Sequence, residues 1–247
     1  MERENFYRCS SLLLDVGGIV LRNVFKFYHL QSKTITAYLS SNKTKLTNLP
    51  LHFLGTNQRL KLFPSSGQKA LIDNFDITLL CALFRNLDST IPSNSSVWSR
   101  PLSTDLSYQA DIGRMTDIRN NLFAHLNSAS LDNSTFSAAT SKLTDIYNRL
   151  ISPLPASHSL VKNLQTMIDK ELTGPLQPDM EDKMAKMREE LEEWQRYDEE
   201  IKAVLLVVTA DMQNMQRGTR NIHIYEIGGA TPRSSYVRIH TRSLPQK

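Results

Sequence analysis

A run of apolar residues at helical spacing, near the middle of the chain, constrains the fold more than any other feature of this sequence. Between residues 111 and 126 the apolar side chains recur three or four positions apart, at Ile112, Met115, Ile118, Leu122 and Leu126. An α-helix turns once every 3.6 residues, so this spacing gathers all of them on one side. The pattern predicts an amphipathic helix whose stripe packs against other helices.

The same period recurs along most of the chain and predicts an all-α fold. It indicates a first helix over residues 6–30, a weaker one within 35–54, a long buried one over 68–87, one that follows Ser134, and a short amphipathic one over 159–172. Gly17 and Gly18 permit a close approach to another helix. The Ser and Pro content of residues 88–106 predicts a loop, in which we expect Trp98 to cover the core. Because Pro153 and Pro155 cannot continue a helix, we expect one helical domain over 5–155 that folds without the rest of the chain.

Cysteine content and charge narrow the class of protein. The chain has two cysteines, Cys9 and Cys81, too few for a disulfide framework or a site of four thiolates, and we expect both to be buried thiols. Residues 179–200 carry ten acidic and four basic side chains. From totals of 25 and 29, the rest of the chain keeps 15 acidic and 25 basic ones. A mildly basic body is compatible with RNA binding.

The central helix also carries a candidate site, formed by Arg119, Asn120 and His125. An arginine holds a phosphate through a fork of donors, and a histidine moves protons near neutral pH. Together they suit cleavage of an RNA phosphodiester. The alternative is structural: Arg119 makes an ion pair, and His125 is a residue near the helix C-terminus, favoured there by the helix dipole.

Two observations weaken the case for a site formed by Arg119 and His125. An arginine followed at similar spacing by a histidine occurs four times, as 22/29, 119/125, 217/223 and 233/240. On a regular helix, side chains six positions apart also lie about 120° apart. Arg119 and His125 therefore converge on one phosphate only if the helix end unwinds or a second protomer supplies the partner.

The blocks around this site resemble a known family. Phe75–Leu87, then a loop bearing Pro and Trp, then Ala110 through Arg119, Asn120 and His125 resemble a HEPN domain. The resemblance is to the type associated with the DAZ-interacting RING E3 ubiquitin ligase, and it spans roughly residues 5–155. It departs from the family where Val97, rather than the expected glycine, precedes Trp98.

The resemblance implies a helical bundle that often dimerises through the motif helix. Many HEPN domains are ribonucleases that need no metal. Carry-over from them makes Arg119 and His125 the catalytic pair and gives Asn120 an orienting role. Others are non-catalytic RNA-binding or interaction modules. A RING needs eight Cys or His ligands in a fixed order, and the chain does not contain that order, so it is not itself a RING ligase.

Beyond the domain, we expect a short helix and linker over 156–178 and a coiled coil over 179–217. The coiled coil is indicated by ten apolar residues in steps of four and three: Met180, Met184, Met187, Leu191, Trp194, Ile201, Leu205, Val208, Met212 and Met215. Asp198 interrupts the series. The alternative is one long helix folded back onto the bundle, with Met as adaptable filler.

Residues 218–247 are expected to form a basic, mostly disordered tail, because the strand-like run Asn221–Ile227 has no partner. The apolar run Leu12–Leu21 is broken by Asp15 and lacks a basic leader, so we expect a cytoplasmic protein without a membrane segment. No cofactor or metal is expected.

The sequence thus favours a HEPN-type interaction or RNA-binding module joined to an oligomerising coiled coil, as a homodimer, with RNA and an unknown protein as partners. The resemblance implies a setting in ubiquitin or innate-immune signalling. The alternative is a metal-independent endoribonuclease that uses Arg119 and His125.

Overall fold

Every regular element in the described part of the chain is helical. The structure is a computed structural model that describes residues 1–49, 54–65, 68–124, 128–176, 178–182, 184–185 and 188–189. No β-strand occurs among these residues, which confirms the all-α prediction. His125, residues 190–217 of the predicted coiled coil and the predicted tail at 218–247 lie outside the described residues.

Residues 2–30 form one continuous helical run. It consists of α1 (Glu2–Ser11), a π-helical segment (Leu12–Val16), α2 (Gly17–Phe25) and a second π-helical segment (Lys26–Leu30). A Cβ at Gly17 would stand 2.7 Å from the hydroxyl oxygen of Tyr147, and that hydroxyl donates to the carbonyl of Leu12 at 2.9 Å. The close packing expected at this glycine is therefore confirmed.

The remaining helices are shorter. They are α3 (Ile35–Ser41), α4 (Lys43–Thr47), α5 (Thr56–Leu62), a 3-10 turn (Ile72–Asn74), α6 (Ile77–Leu87), a second 3-10 turn (Ser96–Trp98), α7 (Tyr108–Ala124), α8 (Asn133–Ile151) and α9 (Ser159–Thr173). The sequence patterns did not predict α5. The other helices occupy predicted segments, with changed ends.

Aspartate side chains fix two of these ends. The Asp76 carboxylate accepts from the backbone N–H of Leu79 at 2.8 Å and starts α6 at residue 77, so a single helix over 68–87 was wrong in its first half. Asp132 accepts from the N–H of Thr135 at 2.9 Å and starts α8. The helix therefore begins at Asn133, before the Ser134 that was expected to precede it.

The core lies where the N-terminal run meets four later helices. α1 contacts α8 and α9, α2 contacts α6 and α8, and α7 contacts both α6 and α8. Phe6, Phe25, Phe84 and Tyr147 are among the largest fully buried side chains. The position of α7 between α6 and α8 explains why its apolar stripe is buried.

The C-terminal part of the described chain shares this core. Leu160, Leu164 and Ile168 of α9 are buried in it, and so are Met180 and Met184, at 4% and 0% exposure. The first two positions of the predicted coiled-coil series thus pack inside the domain, as the folded-back alternative expects for them. The boundary expected at residue 155 divides residues that belong to one core.

Polar contacts also join α1 to the C-terminal part of the described chain. The Arg8 guanidinium donates to the carbonyl oxygens of Glu171 at 3.1 Å and Gly174 at 2.9 Å. The Tyr7 hydroxyl donates to the Glu181 carboxylate at 2.5 Å, and Arg3 forms an ion pair with the same oxygen at 2.6 Å. α1 is therefore held by residues about 165 to 180 positions later in the chain.

The helices in the described ranges are all too short or too polar to span a lipid bilayer. Cys9 and Cys81 are free and buried, as expected. Burial raises the pKa of the Cys9 thiol to about 12, which keeps it in its inert protonated form.

Candidate functional site

The candidate site lies on α7, whose buried stripe is confirmed. Ile112, Met115, Ile118 and Leu122 are exposed by 5% or less. The fifth predicted member, Leu126, is outside the described residues. Because one side of α7 is buried in the core, its polar residues lie on the other sides of the helix.

Arg119 and Asn120 lie on α7 as a bonded pair. Arg119 is half-buried and Asn120 is exposed. The Arg119 Nε and Nη2 atoms both donate to Asn120 Oδ1, at 3.2 and 2.9 Å. One amide oxygen thus holds the plane of the guanidinium, and the orienting role that the resemblance implied for Asn120 stays a prediction.

Arg119 also acts on a buried neighbour. Burial raises the pKa of the Cys81 thiol, while the positive charge of Arg119 and a hydrogen bond from Thr116 oppose that rise. The Arg119 side chain therefore lies near the α6–α7 contact. His125 lies beyond the described residues, so its position relative to Arg119 remains a prediction.

The Arg22/His29 match of the same motif does not form a site. Arg22 Nη1 donates to the carbonyl oxygen of Phe75 at 3.1 Å. His29 lies instead among aromatic rings, 4.8 Å from Phe25 and 5.2 Å from Phe84 between ring centroids. Burial lowers the pKa of His29, against an opposing effect of the Asp88 charge. The two residues therefore have separate structural roles, Arg22 in a hydrogen bond to the backbone and His29 in the packing of aromatic rings. The matches at 217/223 and 233/240 lie outside the described residues.

A second polar cluster joins the end of α6 to the start of α7. Asp88 Oδ1 accepts from the backbone N–H and the hydroxyl of Thr90, both at 2.6 Å, and Oδ2 accepts from Tyr108 at 2.5 Å and Gln109 at 3.0 Å. Burial alone would raise the pKa of Asp88, but the hydrogen bonds from Thr90, Tyr108 and Gln109 outweigh it and lower the pKa to about 2. Tyr108 stacks on Tyr28 with ring centroids 4.3 Å apart. The cluster fixes where α7 begins.

A third cluster, which the sequence patterns did not indicate, lies under the first turns of α7. The side chain of Asp111 is fully buried. It accepts from Arg114 Nη1 at 2.7 Å and from Arg149 of α8 through a fork, Nε at 2.8 Å and Nη2 at 2.7 Å. Two arginines on one carboxylate leave one excess positive charge. The Arg114 Nη2 atom also donates to the carbonyl oxygens of Leu102 and Asp105, which ties the preceding loop to α7.

Two polar residues near the end of α6, and Trp98 of the loop that follows, make local contacts. Arg85 donates to the carbonyl oxygen of Ser93 at 2.6 Å, and Asn86 to that of Ala82 at 2.9 Å. Trp98 is 2% exposed, and its ring N–H donates to the carbonyl oxygen of Pro92 at 3.0 Å. Trp98 therefore covers the core, as expected. In the part of the chain that the structure describes, no three His, Cys, Asp or Glu side chains gather closely enough to hold a metal ion.

The fold and the motif pair on α7 define a HEPN helical domain. A family model described as DZIP3/hRUL138-like HEPN matches residues 32–183, more than half of the chain. The chain belongs to this family, and the recognition made from the sequence is confirmed. The match includes α9 and reaches Met180, consistent with the shared core. A search of curated proteins and a search of solved structures gave no match.

Proposed function

We propose that this chain is a HEPN-type module that binds single-stranded or looped RNA and self-associates, without cleaving its ligand. The observation that carries the proposal is the Arg119–Asn120 pair on α7. A guanidinium held in a fixed plane is suited to a phosphate oxygen pair, because less rotamer freedom is lost when the phosphate binds. The excess of basic residues outside 179–200 supports an anionic partner.

Self-association rests on the apolar series after Met184. Since Met180 and Met184 are buried in the domain, a seam between protomers has its first available position at Met187 or later. Placing aspartates at Leu191 and Leu205 buries charges in such a seam and is expected to dissociate the dimer. Sedimentation of the wild type as a monomer at micromolar concentration would rule this part out. The proposed setting is cytoplasmic, with an unidentified protein as a further partner.

The second candidate function is metal-independent endoribonuclease activity. It is favoured by the match of Arg119 and Asn120 to the family motif and by the bond between them. In that mechanism Arg119 would hold the phosphate and stabilise its developing charge. His125 would transfer a proton at the ribose 2′-hydroxyl or at the leaving oxygen.

One experiment separates the two functions. Fluorescent single-stranded RNA is incubated with the full chain in EDTA, and binding is followed by anisotropy and cleavage on a gel. The variants are Arg119→Ala, Asn120→Ala and His125→Ala, with Lys162→Ala as a control that removes one exposed charge on α9. The module predicts intact RNA, with binding weakened by Arg119→Ala and unchanged by Lys162→Ala.

The nuclease predicts a different pattern. Arg119→Ala and His125→Ala each abolish cleavage, and the double variant is no worse, because members of one catalytic unit are not additive. Equal cleavage by all variants indicates a contaminant. Equal RNA affinity of the wild type and Arg119→Ala would contradict the module at this site, and equal cleavage by the two would contradict the nuclease.

A further inference from the structure

The stretch between Asp15 and Asp73 has a one-sided charge. Its 57 residues, 16–72, contain eight basic side chains and not one acidic side chain. At the average of the whole chain, 25 acidic residues in 247, a stretch of this length would hold about six. It forms the later part of the N-terminal helical run and the short helices α3, α4 and α5. With the two acidic residues that follow it, Asp73 and Asp76, the region 16–76 carries a net charge of +6.

The two arginines of this stretch are used inside the domain. Arg22 Nη1 donates to the carbonyl oxygen of Phe75 at 3.1 Å. Arg59 donates from Nε to the carbonyl oxygen of Leu54 and from Nη1 to that of Thr47, both at 3.0 Å. Backbone carbonyl groups thus hold both guanidinium groups in place. The remaining basic side chains form what we call the lysine surface: Lys26, Lys33, Lys43, Lys45, Lys61 and Lys69.

Neighbouring acids neutralise only part of the lysine surface. The half-buried Lys61 forms an ion pair with Asp76. The ammonium of Lys26 lies 3.8 Å from a carboxylate oxygen of Asp73. The other four lysines are exposed and form no ion pair with a residue that the structure describes: Lys33, Lys43, Lys45 and Lys69. These four charges are therefore available to an anionic partner.

Contacts between the short helices bring these lysines into one region of the domain. α3 contacts both the second π-helical segment and α4. The bond from Arg59 to the carbonyl oxygen of Thr47 joins α5 to the end of α4. The ammonium of Lys43 in α4 also lies 5.9 Å from the ring centroid of Phe63, the residue that follows α5. The lysine surface is therefore continuous from the end of the N-terminal run to α5.

Three large apolar side chains are exposed beside the lysine surface. Phe27, Leu60 and Leu71 are 41%, 57% and 58% exposed. Phe27 and Leu60 are chain neighbours of Lys26 and Lys61, and Leu71 lies two positions before the aspartate that pairs with Lys26. A single exposed apolar residue is ordinary, but several of them together on one surface mark a binding site. A partner for this surface offers both an anionic layer and an apolar layer.

We propose that the lysine surface binds an anionic phospholipid membrane. The ammonium groups lie among the headgroups, and Phe27, Leu60 and Leu71 enter the boundary with the acyl chains. This binding needs no segment that spans the membrane. An ammonium is a compact point charge that suits a diffuse layer of headgroups, whereas RNA is recognised by guanidinium forks and by stacking of its bases. Here backbone carbonyl groups hold both guanidinium groups, and a leucine has no π-face for a base.

The test measures co-sedimentation of the full chain with two kinds of vesicle, one of phosphatidylcholine alone and one in which about a third of the lipid is phosphatidylserine. The chain should bind only the anionic vesicles, and binding should weaken as salt is raised. Each lysine near such a surface contributes roughly fivefold to the partition constant, so replacing Lys43 and Lys45 together by Gln should weaken binding roughly twentyfold to thirtyfold. Replacing Leu60 and Leu71 together by Ser should weaken it by about tenfold and leave the salt dependence unchanged.

Two matched controls remove the same groups from other parts of the domain. In the first, Lys142 of α8 and Lys162 of α9, both exposed, are replaced together by Gln. In the second, Leu102 and Leu106, which are 74% and 64% exposed, are replaced together by Ser. Both controls should bind the anionic vesicles as the wild type does. Circular dichroism checks that every variant is folded.

The outcomes separate a membrane from the other anionic partners. No binding to the phosphatidylserine vesicles, equal binding to both kinds of vesicle, or a Lys43/Lys45 variant that binds no more weakly than its control overturns the proposal. A Lys43/Lys45 variant that loses affinity for RNA but not for vesicles assigns the lysine surface to RNA, and also overturns it. Phosphatidylglycerol at the same charge density should replace phosphatidylserine without loss, because the lysines respond to charge and not to one headgroup. Arg119→Ala should leave vesicle binding unchanged, so this inference and the proposed RNA binding fail separately.

Discussion

Gly113 allows the loop before α7 to pack directly on the helix that carries the motif pair. A Cβ built at this position would lie 2.4 Å from the carbonyl oxygen of Val97, 3.2 Å from the carbonyl carbon of Trp98 and 3.3 Å from its Cα. All of these atoms are backbone atoms of the 3-10 turn Ser96–Trp98. The Gly113→Ala variant therefore forces the helix and the turn apart by about 0.6 Å to restore a 3.0 Å contact.

Two opposing effects set the size of the change. Alanine in a helix interior is favoured over glycine by about 1 kcal/mol. Overpacking a well-packed contact costs about 1–3 kcal/mol, and here the obstructing atoms cannot change rotamer. The turn is also anchored, since Trp98 is buried and bonded to Pro92. Because backbone atoms obstruct the Cβ, we take the upper part of that range, about 2–3 kcal/mol. Subtracting the propensity gain of about 1 kcal/mol leaves a destabilisation of about 1–2 kcal/mol, which should lower Tm by about 4 °C.

Gly18→Ala is the matched control, because it makes the same change with the opposite expected sign. The Cβ at Gly18 meets the guanidinium of Arg22, whose nearest atom, Nη1, is 3.2 Å away and also donates to the Phe75 carbonyl oxygen. This atom must move by only a few tenths of an ångström, and it lies at the end of a flexible side chain. The gain in helix propensity then prevails, and stability rises by up to about 1 kcal/mol. Urea unfolding followed by circular dichroism measures both variants. A Gly113→Ala variant as stable as the wild type would refute the reasoning.

Three further predictions follow from the contacts described above. Burial lowers the pKa of His29 in the folded protein below its ordinary value near 6.5. The unfolded chain therefore binds more protons as the pH falls through that value, and the folded protein should lose stability there. The urea midpoint should change less between pH 7 and pH 5 in His29→Phe than in the wild type. Asp111→Ala leaves two arginines without their buried carboxylate partner. Breaking a buried ion pair costs about 3–5 kcal/mol, and we expect about 3 kcal/mol here because Arg149 is one-third exposed. Denaturant titration should show a smaller loss of stability for Arg149→Met. Residues 1–155 expressed alone should melt well below the full chain by calorimetry, because the fragment exposes the core that α9 covers; equal melting temperatures would instead support the boundary expected at 155.

The helical period predicted the elements but not all of their limits. The stripe on α7 and the inner faces of α6 and α8 follow directly from apolar spacing. α6 begins at residue 77 because the carboxylate of Asp76 caps it, and a capping residue inside an apolar run gives no signal in the period itself. α5 was missed because its apolar residues, Leu60 and Leu62, lie two positions apart and not three or four.

The candidate site was predicted in part, for a physical reason. Arg119 and Asn120 are neighbours in the chain, so a local motif identifies their pairing. Asp111 and Arg149 are 38 positions apart and meet only because α7 packs on α8. Each is an ordinary charged residue in its own helix, so no spacing in the sequence marks the pair. Met180 and Met184 show the converse: a heptad pattern indicates an apolar face but not which surface covers it.

The anchoring of α1 by the far end of the domain has a consequence for how the chain is made. The bonds from Arg8 to Glu171 and Gly174 and the packing of α1 on α8 and α9 require residues that are translated much later than α1. At about 5–20 residues per second, roughly 10–30 s pass between synthesis of α1 and synthesis of its partners. During that interval Phe6, Cys9 and Leu13, all fully buried in the finished domain, have no complete surface to pack against. Within this domain α1 is thus made well before the helices that enclose it, and its apolar side stays exposed until α8 and α9 have been synthesised.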